Sequence, residues 1–320
     1  METFAVLGID IAKATFDVCL ISQGKHFFRK FPNDEIGFKS LEGFLYKKEV
    51  SLLHACMEAT SVYYLSLANF LNKIGFKVSV VNPFKIKGFA QSQLSRTKTD
   101  KSDAQLIAAY CQTFLPSEYK PVPEVNRELQ ELVQRLEALT AMKLSEKNRL
   151  SIASERLAGF ILESINQIDR QIKQIEKILL EKINSEGTLI EQAQLLDSIP
   201  GVSNKTIGII LAYISHMNFE SSKKLAAYFG LNPRHKLSGT SVRGCSNISK
   251  MGNSRLRKTL YMPALVAMRH NPIIAAFCQR LESKGKPKKV VIVAAMRKLL
   301  DIIHGVLKNR RSFDPQYSNA

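Results

Sequence analysis

What this 320-residue sequence lacks narrows it before anything it contains. It has no run of about 18 apolar residues and no signal peptide at its start, which predicts a cytoplasmic protein with no membrane partner. Its five cysteines (Cys19, Cys56, Cys111, Cys245, Cys278) are odd in number, scattered and without a CxxC pair. That pattern argues for a reducing compartment and against a structural zinc site. Acidic residues are scarce in the last third. Residues 231–320 hold 18 Lys or Arg against only Glu282, Asp301 and Asp314, so they carry +15 of the chain's formal +18. A field of one sign confined to one third of a chain suits a polyanion, and nucleic acid is the expected partner. Long apolar side chains are missing between Leu237 and Met251 apart from Val242 and Ile248.

What is present is an ordinary globular composition, 45% hydrophobic, long enough for two or three domains. Three regions separate by pattern. Residues 1–120 alternate strand and helix. "FAVLGIDIA" (4–12), "TFDVCLI" (15–21) and "KHFFRKF" (25–31) predict an antiparallel meander. A helix from about Asp34 to Lys47, the strand "SLLHACME" (51–58), a helix at 63–75, the strand "KVSVV" (77–81) and a helix from Asp100 follow. That order is the one found in the ribonuclease H-like α/β fold, although other mixed folds fit it. Residues 121–187 are purely helical and predict a coiled-coil segment. Ile161, Ile165, Ile168, Ile172, Ile175 and Leu179 form one apolar seam, and Leu129, Leu132, Leu136 and Leu139 a shorter one. The seams can pair within one chain or between two. Residues 188–320 predict a basic, mainly α domain.

That third region opens with two helices joined at Ile199-Pro200-Gly201-Val202. Backbone N–H groups near Gly201 can hold a phosphate in a helix-hairpin-helix, or the turn is an ordinary connection. Both readings stand. A helix over 254–270 carries Arg255, Arg257 and Lys258 in its first turns, where cations oppose the helix dipole and invite an external anion. Pro263 should kink or interrupt it. Lys286, Lys288 and Lys289 precede a last amphipathic helix.

Four carboxylates in the first region point to a metal. Asp10 and Glu58 each close an apolar strand, and those strands neighbour one another in the expected fold. Asp100 and Asp103 share a face at the start of a helix. Each alone has a duller use, as a cap or a turn residue. Converging in a basic protein, they would repel unless divalent cations neutralised them, and oxygen ligands of this kind suit Mg²⁺ or Mn²⁺. Two such ions can serve phosphoryl transfer.

"HKLSGTSVRGCSNISKMGN" (235–253) reads as a phosphate-binding loop. Gly239 and Gly244 would admit close backbone approach. Arg234, Lys236, Arg243 and Lys250 offer cations. Ser238, Thr240, Ser241, Ser246 and Ser249 are rival hydroxyls by composition, and a serine needs a base or a metal to become a nucleophile. With little to pack against, the loop is expected to be mobile without nucleic acid.

Asp10 in "GIDIAK", Glu58 in "MEATSVYY" and Asp100 and Asp103 in "KTDKSDA" resemble the acidic tetrad of DEDD-type insertion-sequence transposases, whose N-terminal domain is similar to Holliday-junction resolvases. "IPGV", "AAYFGLNPR", "SGTSVRG" and "ISKMGNSRLRKTLYMPA" look like that family's C-terminal domain. The resemblance implies a recombinase in which a serine attacks the DNA phosphodiester and forms a phosphoserine link. It matches Ser238 to that serine. It further implies a composite site completed by the tetrad with Mg²⁺, across two subunits of a dimer or tetramer. A structured bridge RNA would pair with donor and target DNA. The competing expectation is a resolvase-type endonuclease in which metal-activated water cuts branched DNA.

Overall fold

Alternation of apolar side chains builds the N-terminal sheet. In β1 (Phe4–Ile11), Leu7, Ile9 and Ile11 turn to one face and Val6 and Gly8 to the other. β2 (Thr15–Ser22) and β3 (Lys25–Pro32) continue it as an antiparallel meander. They are joined at Gln23-Gly24, both at positive φ, as a tight hairpin turn requires. α1 (Glu35–Lys47) starts where the Asp34 carboxylate accepts the Gly37 N–H at 2.8 Å. β4 (Leu52–Glu58) then runs parallel to β1. α2 (Leu65–Lys73) crosses over, and β5 (Lys77–Val81) runs parallel to β4, giving the order β3-β2-β1-β4-β5. α3 (Pro83–Ser92), which the pattern did not predict, precedes α4 (Asp100–Phe114). α1 and α2 bury Leu41, Leu45, Leu67 and Leu71 on one face of the sheet. α4 buries Ala104, Ile107, Ala108 and Cys111 on the other. The α/β domain with a mixed five-stranded sheet is as expected.

This computed structural model describes residues 4–59, 62–93, 99–234, 237–238, 242–243 and 247–316, the side chains of 237–238, 242–243 and 247 excepted. The chain forms two compact units, residues 1–121 and 122–320. Among the described residues no helix is long and apolar enough to cross a membrane.

In the second unit, α5 (Glu124–Leu150) and α6 (Glu155–Asn184) fold back on each other, so the two seams pair within the chain. Leu129, Val133, Leu136 and Leu139 face Ile165, Ile168 and Leu179, with Lys143–Asp169 and Lys182–Glu128 ion pairs beside them. α7 (Gly187–Asp197) leads to α8 (Asn204–Ile214), buried throughout from Thr206. Burial from Thr206 to Ile214 leaves the last carbonyls of α8 shielded from water. Asn126 and Gln130 of α5 satisfy two of them, donating to Leu211 at 3.1 Å and Ala212 at 2.9 Å. The base of the hairpin thus shares one core with the helices beyond it.

α9 (Ser222–Tyr228) is followed by four two-residue strands. β6 (Pro233–Arg234) pairs antiparallel with β9 (Asn247–Ile248), and between them in sequence β7 (Leu237–Ser238) pairs with β8 (Val242–Arg243). Ser238 therefore stands on a short ladder opposite Val242, where the sequence reading had a plain loop. The few apolar residues of the stretch, Leu237, Val242 and Ile248, all fall on these ladders. The expected mobility concerns residues that lie largely outside the described ones. α10 (Ser254–Thr259) and α11 (Tyr261–His270) divide at Leu260. The interruption is the one Pro263 imposes, because its ring cannot coexist with a helical carbonyl at Thr259. α12 (Pro272–Ser283) and α13 (Lys288–Asn309) close the unit.

Candidate metal centre and nucleic-acid interface

Strand register alone aligns the charged residues of the first unit. Asp10 lies opposite Asp17, and Asp17 opposite Lys30. Because Ile9 is level with Met57 in the parallel pair, Asp10 is level with Glu58. Alternation puts all four on the face that α4 covers, so Lys30, Asp17, Asp10 and Glu58 form a row across four strands.

α4 brings the other two acids to that row. A Cβ on Gly8 would fall inside the α4 backbone at Ala104 and Ala108, so only glycine lets the helix lie this close to β1. The first turn of α4 then stands by Asp10. Thr99 caps it, accepting the Ser102 N–H at 3.1 Å in a capping box. Asp100 and Asp103 are thereby released from capping, and the helix dipole favours their charge.

The electrostatics register this convergence. The half-buried Asp10 is pushed up to about 6, first by burial and then by the charges of Asp103, Asp100, Glu58 and Asp17. Lys30 donates to Asp17 at 3.0 Å and to Asp100 at 3.3 Å, and these bonds hold its ammonium above the usual lysine range. Among the described residues, no three His, Cys, Asp or Glu side chains stand close enough to hold an ion as they are. Residue type and charge suit a hard divalent cation, and the described acids do not form a ready ligand cage for one. Asp17, Lys30 and Gly8 were not singled out in the sequence. The available signal was a lone acid in the apolar strand "TFDVCLI", at the parity that faces α4.

The predicted nucleic-acid residues whose side chains are described divide in two. Arg234, Lys250, Lys258, Lys286, Lys288 and Lys289 are exposed. Arg255 is engaged internally: its Nε donates to Glu137 at 2.5 Å and its guanidinium to the Tyr213 hydroxyl at 2.6 Å. Arg257 donates to the Phe229 carbonyl at 3.0 Å. Gly201 has φ +102°, and a Cβ there would lie 2.8 Å from Ala267, so packing against α11 already demands glycine. The Ser203 side chain leaves the first N–H groups of α8 uncapped and instead meets Thr206 at 3.2 Å. The backbones of Ser238 and Arg243 lie on β7 and β8; their side chains and all of Lys236 are outside the described residues.

Residues 7–153 match a family model described as a transposase, of the DEDD IS110 type. Residues 193–279 match one described as the transposase IS116/IS110/IS902 family. The pilin gene-inverting protein of Moraxella bovis is 36% identical over 312 residues, 96% of this chain and 97% of that one. The transposase for insertion sequence element IS1111A of Coxiella burnetii is 25% identical over 306 residues, 84% and 79% of the two chains.

Proposed function

Since the chain belongs to the IS116/IS110/IS902 transposase family, we propose that it cuts and rejoins DNA through Ser238, assisted by a divalent metal on Asp10, Glu58, Asp100 and Asp103. The observation that carries this reading is the convergence of those acids on Asp10, which keeps its carboxyl near 6. Like charges gathered on an otherwise packed sheet face carry an electrostatic cost, which the Lys30 ion pairs offset only in part. The sheet order, with β1 and β4 central and parallel, supports a ribonuclease H-like, resolvase-like assignment for this unit.

In the proposed reaction, an ester bond forms between the Ser238 oxygen and phosphorus as the bond to the departing sugar oxygen breaks. The hydroxyl proton leaves the serine and the sugar oxygen takes one up, so charge and atoms balance. Rejoining reverses the step with a sugar hydroxyl of the new partner strand. Bound Mg²⁺ or Mn²⁺ would supply Lewis-acid stabilisation of the phosphoryl oxygens. The exposed cations from Arg234 to Lys289 hold the DNA backbone. The Moraxella bovis protein is named for inverting a pilin gene, and DNA rearrangement is what we carry over from that name. A structured bridge RNA selecting donor and target, and assembly as a dimer or tetramer, belong to the same proposal. Exposed apolar residues at the tip of the α5–α6 hairpin, including Ile152 at 87% and Phe160 at 72% exposure, support self-association.

The test combines protein, element DNA, RNA and Mg²⁺ and looks for an SDS-resistant protein–DNA adduct. An adduct lost in Ser238→Ala supports the serine mechanism. Cleavage without adduct that survives Ser238→Ala but is lost in Asp10→Ala would replace it with water attack by a resolvase-type nuclease. Recombination undiminished after RNA removal would exclude the guide.

A further inference from the structure

The Lys30 ammonium ties the carboxylate row to α4. It donates to Asp17, its cross-strand neighbour, and reaches Asp100 in the first turn of the helix. Asp17 is the less exposed partner, and Asp100 the more exposed one. Lysine is thus seated on the sheet and extended toward the helix. Lys101, next to Asp100, points elsewhere, with its ammonium 4.4 Å from the centre of the Phe28 ring.

From this arrangement we propose that Lys30, seated on Asp17, is a positioning residue that latches Asp100 when no metal is bound and gives it up to the incoming ion. The inference rests on the reading of Asp100 as a metal ligand. Without a cation, Asp100 and Asp103 raise the cost of charge on Asp10 together with Glu58 and Asp17, and that repulsion would push the α4 turn outward. One ammonium bridging Asp17 and Asp100 offsets that repulsion while keeping Asp100 near its working position. The same contact must break for Asp100 to ligate, so Lys30 and the metal compete for one carboxylate. An exposed ion pair is a weak contact, which makes the latch easily displaced. Asp17 has a role distinct from the tetrad: it fixes the lysine and cancels its charge.

Two measurements test this on the full-length protein. The first is amide hydrogen exchange across residues 99–104 without metal. Lys30→Met should exchange faster than wild type there, Lys30→Arg should restore protection, and Lys101→Met should leave it unchanged. The second is Mn²⁺ affinity by calorimetry. Lys30→Met should bind Mn²⁺ roughly fivefold tighter, the scale of an exposed charge pair, and Lys101→Met, which removes the same charge without the contact, clearly less. Equal exchange in wild type and Lys30→Met, or equal affinity gains in Lys30→Met and Lys101→Met, overturns the latch. Wild-type protein that binds no Mn²⁺ would overturn the metal reading instead, and the exchange result would still report on the tether.

Discussion

Asp10 carries a charge that the folded domain resists. Its carboxyl ionises near 6 against an ordinary 3.8, so between those values the folded state binds more protons than the unfolded one. Stability therefore falls as pH rises from about 4 to about 6, and the penalty is complete above that. Allowing for its partial exposure, the cost is about 1–2 kcal/mol. Asp10→Asn in EDTA should regain that amount at pH 7.5 and almost nothing at pH 4, by denaturant unfolding, while abolishing strand cleavage. A destabilised Asp10→Asn would mean that the carboxylate is a structural acceptor. Gly8 makes the opposite prediction. An alanine there must push α4 off β1, at a cost of ~1–3 kcal/mol, and should weaken Mn²⁺ binding although Gly8 contributes no ligand.

At the scale of elements, the helical hairpin separates packing from exposure along its length. Its base is buried with α7 and α8, whereas Met142, Leu144, Ile152, Leu157, Phe160 and Leu162 near the turn are exposed. Replacing Ile152 and Phe160 together with glutamate should lower the mass seen by light scattering and leave the unfolding midpoint unchanged. An unchanged mass would remove the tip from assembly. Much at this scale was legible, because strand alternation and heptad spacing are local. β1, β2, β3 and β5 lie within a residue of where the pattern put them, and the Pro263 break follows from one ring. What was illegible is pairing over distance. "SRLRK" reads as two free arginines, yet Arg255 answers Glu137, 118 residues earlier, and Arg257 the carbonyl of Phe229 at the end of α9, 28 residues earlier. Asp17 looked like an ordinary strand residue until the register set it beside Asp10. α3 was missed for a related reason: only Ile86 of its ten residues is buried, so it has little apolar stripe to detect.

Across the whole molecule, charge is the property that the sequence displays most directly, since it needs no register. Binding of duplex DNA should weaken steeply with salt, with a log–log slope of about −0.9 per phosphate neutralised. Changing Lys286, Lys288 and Lys289 together to alanine should flatten that slope by about 2–3 without altering the unfolding midpoint, measured by anisotropy at several salt concentrations. An unaltered slope would place the DNA on another surface. One contact in the second unit has a mechanical consequence. Glu137 sits midway along α5 and grips Arg255 of α10, whose capping residue Asn253 ends the stretch that began with the serine ladders. The hairpin therefore has the geometry of a lever arm: its free end lies some 20 Å along the helix from Glu137, and a tilt imposed there would reach α10 through the Arg255 guanidinium as well as through the core packed at the base.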